Sequence, residues 1–476
     1  MYDVAVIGGG VVGGLILREL KKYQLDVCLI ERQSDVCMGQ SKANSGIVHA
    51  GFDAAEGSLK AKFNVEGNAM MADITHELGV KFKRNGSLVV AFSEEQVQTL
   101  KALLKRGEEN GVTDIKIIDG DELRRLEPHV SDSAVAALHA ATGGIVCPYE
   151  LTIAAIGNAM DNGADLFTSF DTERIDGNFG AYTLYARDGR KVETKAVINC
   201  AGAGSEDVAA LIGDNFFKIG RRKGEYILLD RESGDFISHT LFFTPTNKGK
   251  GILMTPTVDG NILMGPTAEE VDSPETSTSA EGLSSVIEKA KTMCDKIPFY
   301  NTITSFAGVR AYCDRHDFII EFSKKKKGFI HCAGIESPGL TASPAIVKYV
   351  VNRLIGSLFT LKANEKFNPL RKPDFFFKNL SVEEKNALIK SDPAYGHIIC
   401  RCEGVTEGEI RRAIRVNPRA TDIDGIKRRT RAGMGRCQGG FCQPYVAGII
   451  AEELGIPLEH VTKFGAGSEI LVGKTK

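Results

Sequence analysis

Nowhere in this chain of 476 residues does an apolar run approach the roughly 20 residues that a membrane span requires. Residues 1–20 lack the basic start and small-residue cleavage site of an export signal. The first apolar strand begins at residue 4, which leaves no room for a removable leader. An excess of one charge is lacking too. The 59 Lys and Arg stand against 61 Asp and Glu, a formal net charge of −2 that argues against general affinity for nucleic acid or anionic lipid. Disulfide spacing is mostly absent: the total of 11 Cys is odd and most stand singly, as reduced thiols do in a cytosolic enzyme. These absences point to the cytoplasm. The length suffices for two or three domains with a large core.

What is present begins at once. Residues 4–7 form a short β-branched apolar run, read as a buried parallel strand. Gly8, Gly10 and Gly13 follow as a G-x-G-x-x-G turn. The first allows the tight bend, the second lets backbone approach a pyrophosphate, and the third lets the next helix pack on the strand. Residues 15–23 continue as a helix and 27–30 as a second strand, ending in Glu31-Arg32. A carboxylate there can bond ribose hydroxyls. Strand, glycine turn, helix, strand and acid in that order carry far more weight than the glycines alone.

A small polar loop, Gly39 to Gly51, comes next, where an open α/β sheet binds its ligand. Helices are expected over 60–78, 94–110, 119–126 and 149–162, and a strand over 86–91. Residues 196–199 form another buried strand, which runs into Ala201-Gly202 and suits the adenosine half of the same cofactor. Strands then dominate from 221 to 267, with Asp259-Gly260 as a hairpin turn, and imply an inserted antiparallel domain. From residue 305 the chain is expected to return to the first domain. Lys324–Lys327 reads as a solvated hairpin tip. The turn Gly334-Ile-Glu-Ser-Pro-Gly339 precedes a helix over 345–358. A helix N-terminus there favours negative charge, such as a reduced flavin carries on its pyrimidine edge.

The opening turn, Asn44-Ser-Gly-Ile-Val-His-Ala-Gly51, Phe306-Ala-Gly-Val-Arg310 and Gly334–Gly339 together resemble the FAD-dependent amine and alcohol oxidoreductases typified by D-amino acid oxidase. Within that group the chain is most similar to the glycerol-3-phosphate dehydrogenases and L-2-hydroxyglutarate oxidases, over about residues 1–360. The resemblance implies an α/β Rossmann-like FAD-binding domain (1–80, 143–215 and 305–360) with an inserted antiparallel-sheet substrate domain (81–142 and 216–304). It also implies that the glycine turn holds the ADP of FAD. Asn44, Ser45 and Gly46 would contact the flavin or its pyrophosphate. Gly334, Ser337, Gly339, Leu340 and Thr341 would meet its pyrimidine edge through backbone N–H groups. His49 would lie beside the flavin, as base or as covalent attachment point, and Arg310 would point toward it.

Residues 361–395 read as a Pro- and Lys-containing connector with one helix at 382–390. Beyond it stand Cys400-Arg-Cys402 and Cys437-Gln-Gly-Gly-Phe-Cys442. Thr406 to Glu409 is a capping box, Asp422 can cap a second helix, and Pro444 suits the first turn of a third. Disulfides fit a cytosolic chain poorly, and the single spacer of Cys400-x-Cys402 fits zinc poorly. Four thiolates around a [2Fe–2S] cluster fit best. The segment 396–476 resembles the bacterioferritin-associated ferredoxin-like domain, a small, mainly helical unit. Between Arg401 and Arg436 ten Lys or Arg face five acids. They form either a solvated face or a charge that offsets the cluster and docks an acidic partner.

An iron–sulfur centre takes electrons singly whereas an alcohol gives two, and FAD converts between them. The chemistry expected is hydride transfer from a small anionic secondary alcohol to FAD. His49 would take the hydroxyl proton, because imidazole titrates near neutrality. Arg310 would grip the phosphate or carboxylate as a fork, with Lys250 as a second anchor. Glycerol 3-phosphate is the first expected substrate, then 2-hydroxyglutarate, then an amine such as proline. A non-catalytic electron-transfer subunit is the reading from another class. The electrons would leave to an acceptor protein or to further dehydrogenase subunits, which could also hold the chain against the inner face of a membrane.

Overall fold

The computed structural model describes residues 1–245, 251–371 and 376–473. Its first sheet has eight strands. Tyr2–Ile7 lies parallel between Val27–Ile30 and Lys191–Asn199. Asp165–Phe167 and Phe329–Ala333 continue the parallel set on either side. Val4, Ala5 and Val6 are completely buried because both faces of the sheet are covered, which explains the unbroken apolar run. On one face Leu15, Ile16, Ile156 and Ile346 bring in the helices Val11–Leu20, Pro148–Asp161 and Gly339–Tyr349. On the other, Tyr182 and Leu184 of an antiparallel hairpin meet Ala5, Ile30 and Val197.

The second sheet has nine strands. Its neighbours are antiparallel except where Ser87–Ala91 runs parallel to Thr240–Phe243, the seam between two separate stretches of chain. Alternation sorts the faces. Ile227, Leu229 and Met264 pack with Leu123 and Val286 of two covering helices, whereas Phe242 and Val89 point the other way. Thr302–Cys313 pairs with Ile219–Leu229 along its whole length, so Arg310 stands on this second sheet. The chain rejoins the first sheet at Ile319–Phe322 rather than at 305.

The helix expected from 345 begins six residues earlier, at Gly339. Pro344 lies inside it without breaking it. The Leu340 carbonyl, which a proline nitrogen cannot reach, accepts from the Ser343 hydroxyl at 2.8 Å.

The C-terminal unit is built from three short helices. Glu407–Arg415 carries the full Thr406/Glu409 capping box, Asp422 caps Ile423–Thr430, and Gln443–Leu454 starts with Pro444 in its first turn. Ile410, Ile414, Ile426 and Ile450 form its core. Among the described residues no helix is long and apolar enough to cross a membrane.

A buried ion cluster seats this unit on the first sheet. Asp35, in the loop after Val27–Ile30, takes a fork from Arg429 (2.8 Å on each oxygen) and a third bond from Arg428 at 2.6 Å. Burial disfavours the Asp35 carboxylate, yet the two guanidiniums win and hold its pKa at about 2. Because that value lies below the roughly 3.9 of a free carboxyl, the stabilisation is complete above about pH 4 and is lost as pH falls through about 2. We predict that Asp35→Ala, which takes the shared carboxylate from two buried guanidiniums, destabilises the protein by about 3–5 kcal/mol at pH 7. Urea unfolding would measure this, and the deficit should shrink below pH 4.

Candidate functional site

The first glycine turn is formed by close approach. At Gly8 a Cβ would strike the Cys200 carbonyl, and at Gly13 it would strike the carbonyl of Gly8. Glu31 closes the turn, accepting from Gly9 N at 2.7 Å and Gln33 N at 2.8 Å. Burial raises its pKa against the pull of those two N–H groups. Its first task is therefore to hold the loop, although each oxygen keeps a lone pair for a ribose hydroxyl. Arg32 is exposed and reaches over the second turn, 3.7 Å from where a Cβ on Gly204 would stand. There Ala201 N bonds Asn199 Oδ1 at 3.2 Å, and Gly202 has a φ of 57° with open space at its Cβ position. Neither N-cap residue, Gly10 or Pro338, caps its helix through a side chain, although Ser41 Oγ takes Val11 N from a distant loop. Helix N-termini with N–H groups to spare, and glycines such as Gly8 and Gly13 without room for side chains, fit the pyrophosphate and the electron-rich ring of FAD.

The loop from Gly39 to Gly51 is anchored by residues that sequence reasoning did not single out. Ser41 Oγ accepts from Val11 N at 3.0 Å, and the Gln40 amide joins Ala311 N (2.9 Å) to the Ile335 carbonyl (3.0 Å). Asn44 uses its side chain within the loop, donating to the carbonyls of Gln40 and Ser41 and accepting from Gly46 N at 2.9 Å. It shapes the loop rather than reaching out from it. Ser45 has no hydrogen bond among the described residues. Gly46 has a φ of 66°, and a Cβ there would lie 2.5 Å from the Val146 carbonyl.

His49 and the second glycine turn do come together. Ser337 Oγ lies 3.3 Å from His49 Nε2, and Thr341 Oγ1 accepts from His49 N at 2.9 Å. Asn68 Nδ2 holds the His49 carbonyl at 2.9 Å, and Phe242 flanks the ring at 5.8 Å. Gly334 has a φ of 63°, and Leu340 packs on the main core. Thus Ser337 and Thr341 use their side chains on the histidine, a role that their expected place at the flavin edge did not foretell.

His49, Ser337 and Arg310 line one cavity of about 340 Å³, with Lys60, Arg222 and His316. Lys60 pairs with Glu336 at 2.8 Å and Arg222 with Glu270 at 2.7 Å. Arg310 pairs with no acid among the described residues, although it stands directly opposite Arg222 across the two strands. Lys250 lies outside the described residues.

The four C-terminal thiols gather as two pairs. Cys402 and Cys437 sulfurs are 3.7 Å apart, and Cys442 hydrogen-bonds Cys400. That bond lowers Cys400 to about 6. Backbone N–H groups of Gly439 and Phe441 lower the Cys437 thiol against its burial. One tetrahedral zinc would need all four sulfurs about 3.8 Å from one another. No three of them lie within 4.8 Å. Two pairs suit two irons, so the donor set fits a [2Fe–2S] cluster. The other candidate metal group, Cys147, Glu150 and Asp259, is no cation site, because Asp259 already binds Lys81 and Arg431. Among the described residues at least six of the ten basic residues near the cluster face acids of this same chain, Arg411 and Arg415 at Glu453 and Arg436 at Glu232 among them. Much of the supposed docking charge is internally neutralised.

Anaerobically reconstituted protein should hold about two irons and two sulfides per chain. Cys402→Ser or Cys437→Ser should lose them, and a stoichiometric single zinc would contradict the pairing.

Residues 398–452 match the BFD-like [2Fe-2S] binding domain. A glycerol 3-phosphate dehydrogenase of Caloramator mitchellensis is 46% identical over 480 residues, covering 100% of this chain and 99% of its own. A glycerol 3-phosphate oxidase of Mycoplasma genitalium is 32% identical over 77% of this chain and 96% of its own. Among solved structures, an FAD-bound L-alpha-glycerophosphate oxidase of Mycoplasma pneumoniae superposes with a TM-score of 0.74 at 29% identity, over 78% of this chain and 98% of its own. Residues 3–353 match the DAO family, and the chain belongs to these FAD-dependent oxidoreductases.

Proposed function

We propose that this protein oxidises sn-glycerol 3-phosphate at its secondary hydroxyl to dihydroxyacetone phosphate and delivers the electrons singly to a separate acceptor protein. The observation that carries the proposal is the Arg222–Arg310 pair. Like charges directly opposite on adjacent strands cost stability. Glu270 neutralises one of them, and a substrate anion offsets the other. The full-length likeness to a glycerol 3-phosphate dehydrogenase favours phosphate over carboxylate as that anion.

Bound FAD supplies the two-electron acceptor, and the cluster supplies the one-electron outlet. The chain's own part is to bind, orient and deprotonate. Arg310 takes two phosphate oxygens in a planar fork. His49 takes the hydroxyl proton at a ring nitrogen. Ser337 at 3.3 Å and Phe242 at 5.8 Å fix the imidazole plane, while Asn68 and Thr341 fix the backbone behind it. A cavity of about 340 Å³ has room for a three-carbon phosphate.

Stopped-flow mixing without oxygen tests the assignment. His49→Ala should slow flavin reduction by about a hundredfold or more. Arg310→Ala should weaken substrate binding by about tenfold or more, the cost of a charge-assisted pair. Native rates and affinity in both variants would sink the assignment. Faster bleaching by 2-hydroxyglutarate than by glycerol 3-phosphate would move it to the carboxylate substrate.

A further inference from the structure

We propose that Arg431 is a positioning residue that clamps the cluster loop to both flavin-side sheets and so holds the cluster within electron-transfer reach of the flavin. The proposal rests on the two-cofactor reading above. Arg431 ends the helix Ile423–Thr430 with a φ of 69°, in the left-handed region where glycine is usual, yet its side chain is buried. That conformation aims the guanidinium into a junction of three units. Its Nη1 donates to Asp259 Oδ2 at 2.6 Å, at the hairpin tip of the second sheet. Its Nε donates to Glu403 Oε2 at 3.0 Å, one residue beyond Cys402. Nη1 also reaches Tyr149 Oη at 3.5 Å, in the first turn of Pro148–Asp161.

Tyr149 touches the other half of the cluster loop as well, donating to Met434 Sδ at 3.6 Å, three residues before Cys437. On its far side this helix start is tied to the cofactor loop, where Val146 N donates to the Gly46 carbonyl at 2.8 Å. A continuous set of polar contacts therefore runs from the cofactor loop to both sides of the thiol pair Cys402/Cys437. Glu403 is buried and Asp259 nearly so; removing the arginine leaves Asp259 to Lys81 and Glu403 to Arg231 and Lys378, none of which joins the two carboxylates, so the link between the hairpin tip and the cluster loop is lost. Arg231 braces the same loop from the second sheet, donating to the Cys402 carbonyl at 3.1 Å. One-electron transfer weakens steeply with separation, and a loop released here moves the cluster and not the flavin.

The test uses loaded full-length protein as wild type, Arg431→Gln and Asp259→Asn, after iron, sulfide and the reduced-cluster EPR spectrum have been measured for each. Flavin bleaching by glycerol 3-phosphate is followed optically, and cluster reduction is followed by EPR on rapidly frozen samples. In that interval one electron leaves the reduced flavin and one ferric iron becomes ferrous. Native bleaching with cluster reduction slowed by about tenfold or more in both variants is the expected result. Native cluster reduction in both would overturn the clamp. Should Arg431→Gln lose its iron, Asp259→Asn decides alone on the same criterion, because Asp259 belongs to the second sheet's hairpin and not to the cluster loop. Absence of bleaching in wild type contradicts the substrate assignment instead, and light-driven reduction of the flavin, with EDTA as the sacrificial electron donor, then still tests the clamp.

Discussion

The Gln40 side chain accepts from the backbone of Ala311 and donates to the carbonyl of Ile335, and the geometry of the site depends on that bridge. The strand carrying Arg310 belongs to the second sheet, and the turn carrying Ser337 follows the last parallel strand of the first. The loop with His49 connects to neither by pairing within a large sheet. Residues from three distant stretches meet around one cavity because this loop is stapled to both. Close packing reinforces the staple: a Cβ on Gly308 would run into the carbonyl of Ala43.

Charge is the second organising force, and around the cluster unit much of it is paired within the chain. Asp35 satisfies two arginines of the cluster unit, and Glu453 satisfies two more. Buried ion pairs of this kind add little net stability, but they are costly to break, which makes them suited to fixing orientation. The unit that holds the thiols is thereby seated in one place. Of the cavity's two arginines, Arg222 has an acid and Arg310 has none among the described residues.

The nucleotide-binding half was legible in the sequence because its cues are local. A β-branched run, three glycines at fixed spacing and a carboxylate after the next strand all lie within the first 31 residues. The caps at Thr406 and Asp422 were legible for the same reason, since a capping side chain bonds backbone only a few residues away. What stayed hidden depends on contacts across long separations. Arg222 acquires its meaning only from lying opposite Arg310, and no local signal marks it among the other surface cations. Gln40 and Ser41 look like ordinary loop residues until their partners, 271 and 30 residues away, are known. Composition alone could not choose between the two readings of the basic stretch, because many of its acids come from outside it, Asp35 and Asp259 upstream and Glu453 downstream.

The central claim is that one chain takes a pair of electrons from glycerol 3-phosphate and hands them on singly. Anaerobic titration of the wild-type holoprotein with that substrate tests it most directly, reading the visible flavin band and the EPR signal of the cluster in the same samples. The account predicts that the band bleaches and the reduced-cluster signal grows with it. A flavin that dithionite bleaches but glycerol 3-phosphate leaves oxidised would contradict it.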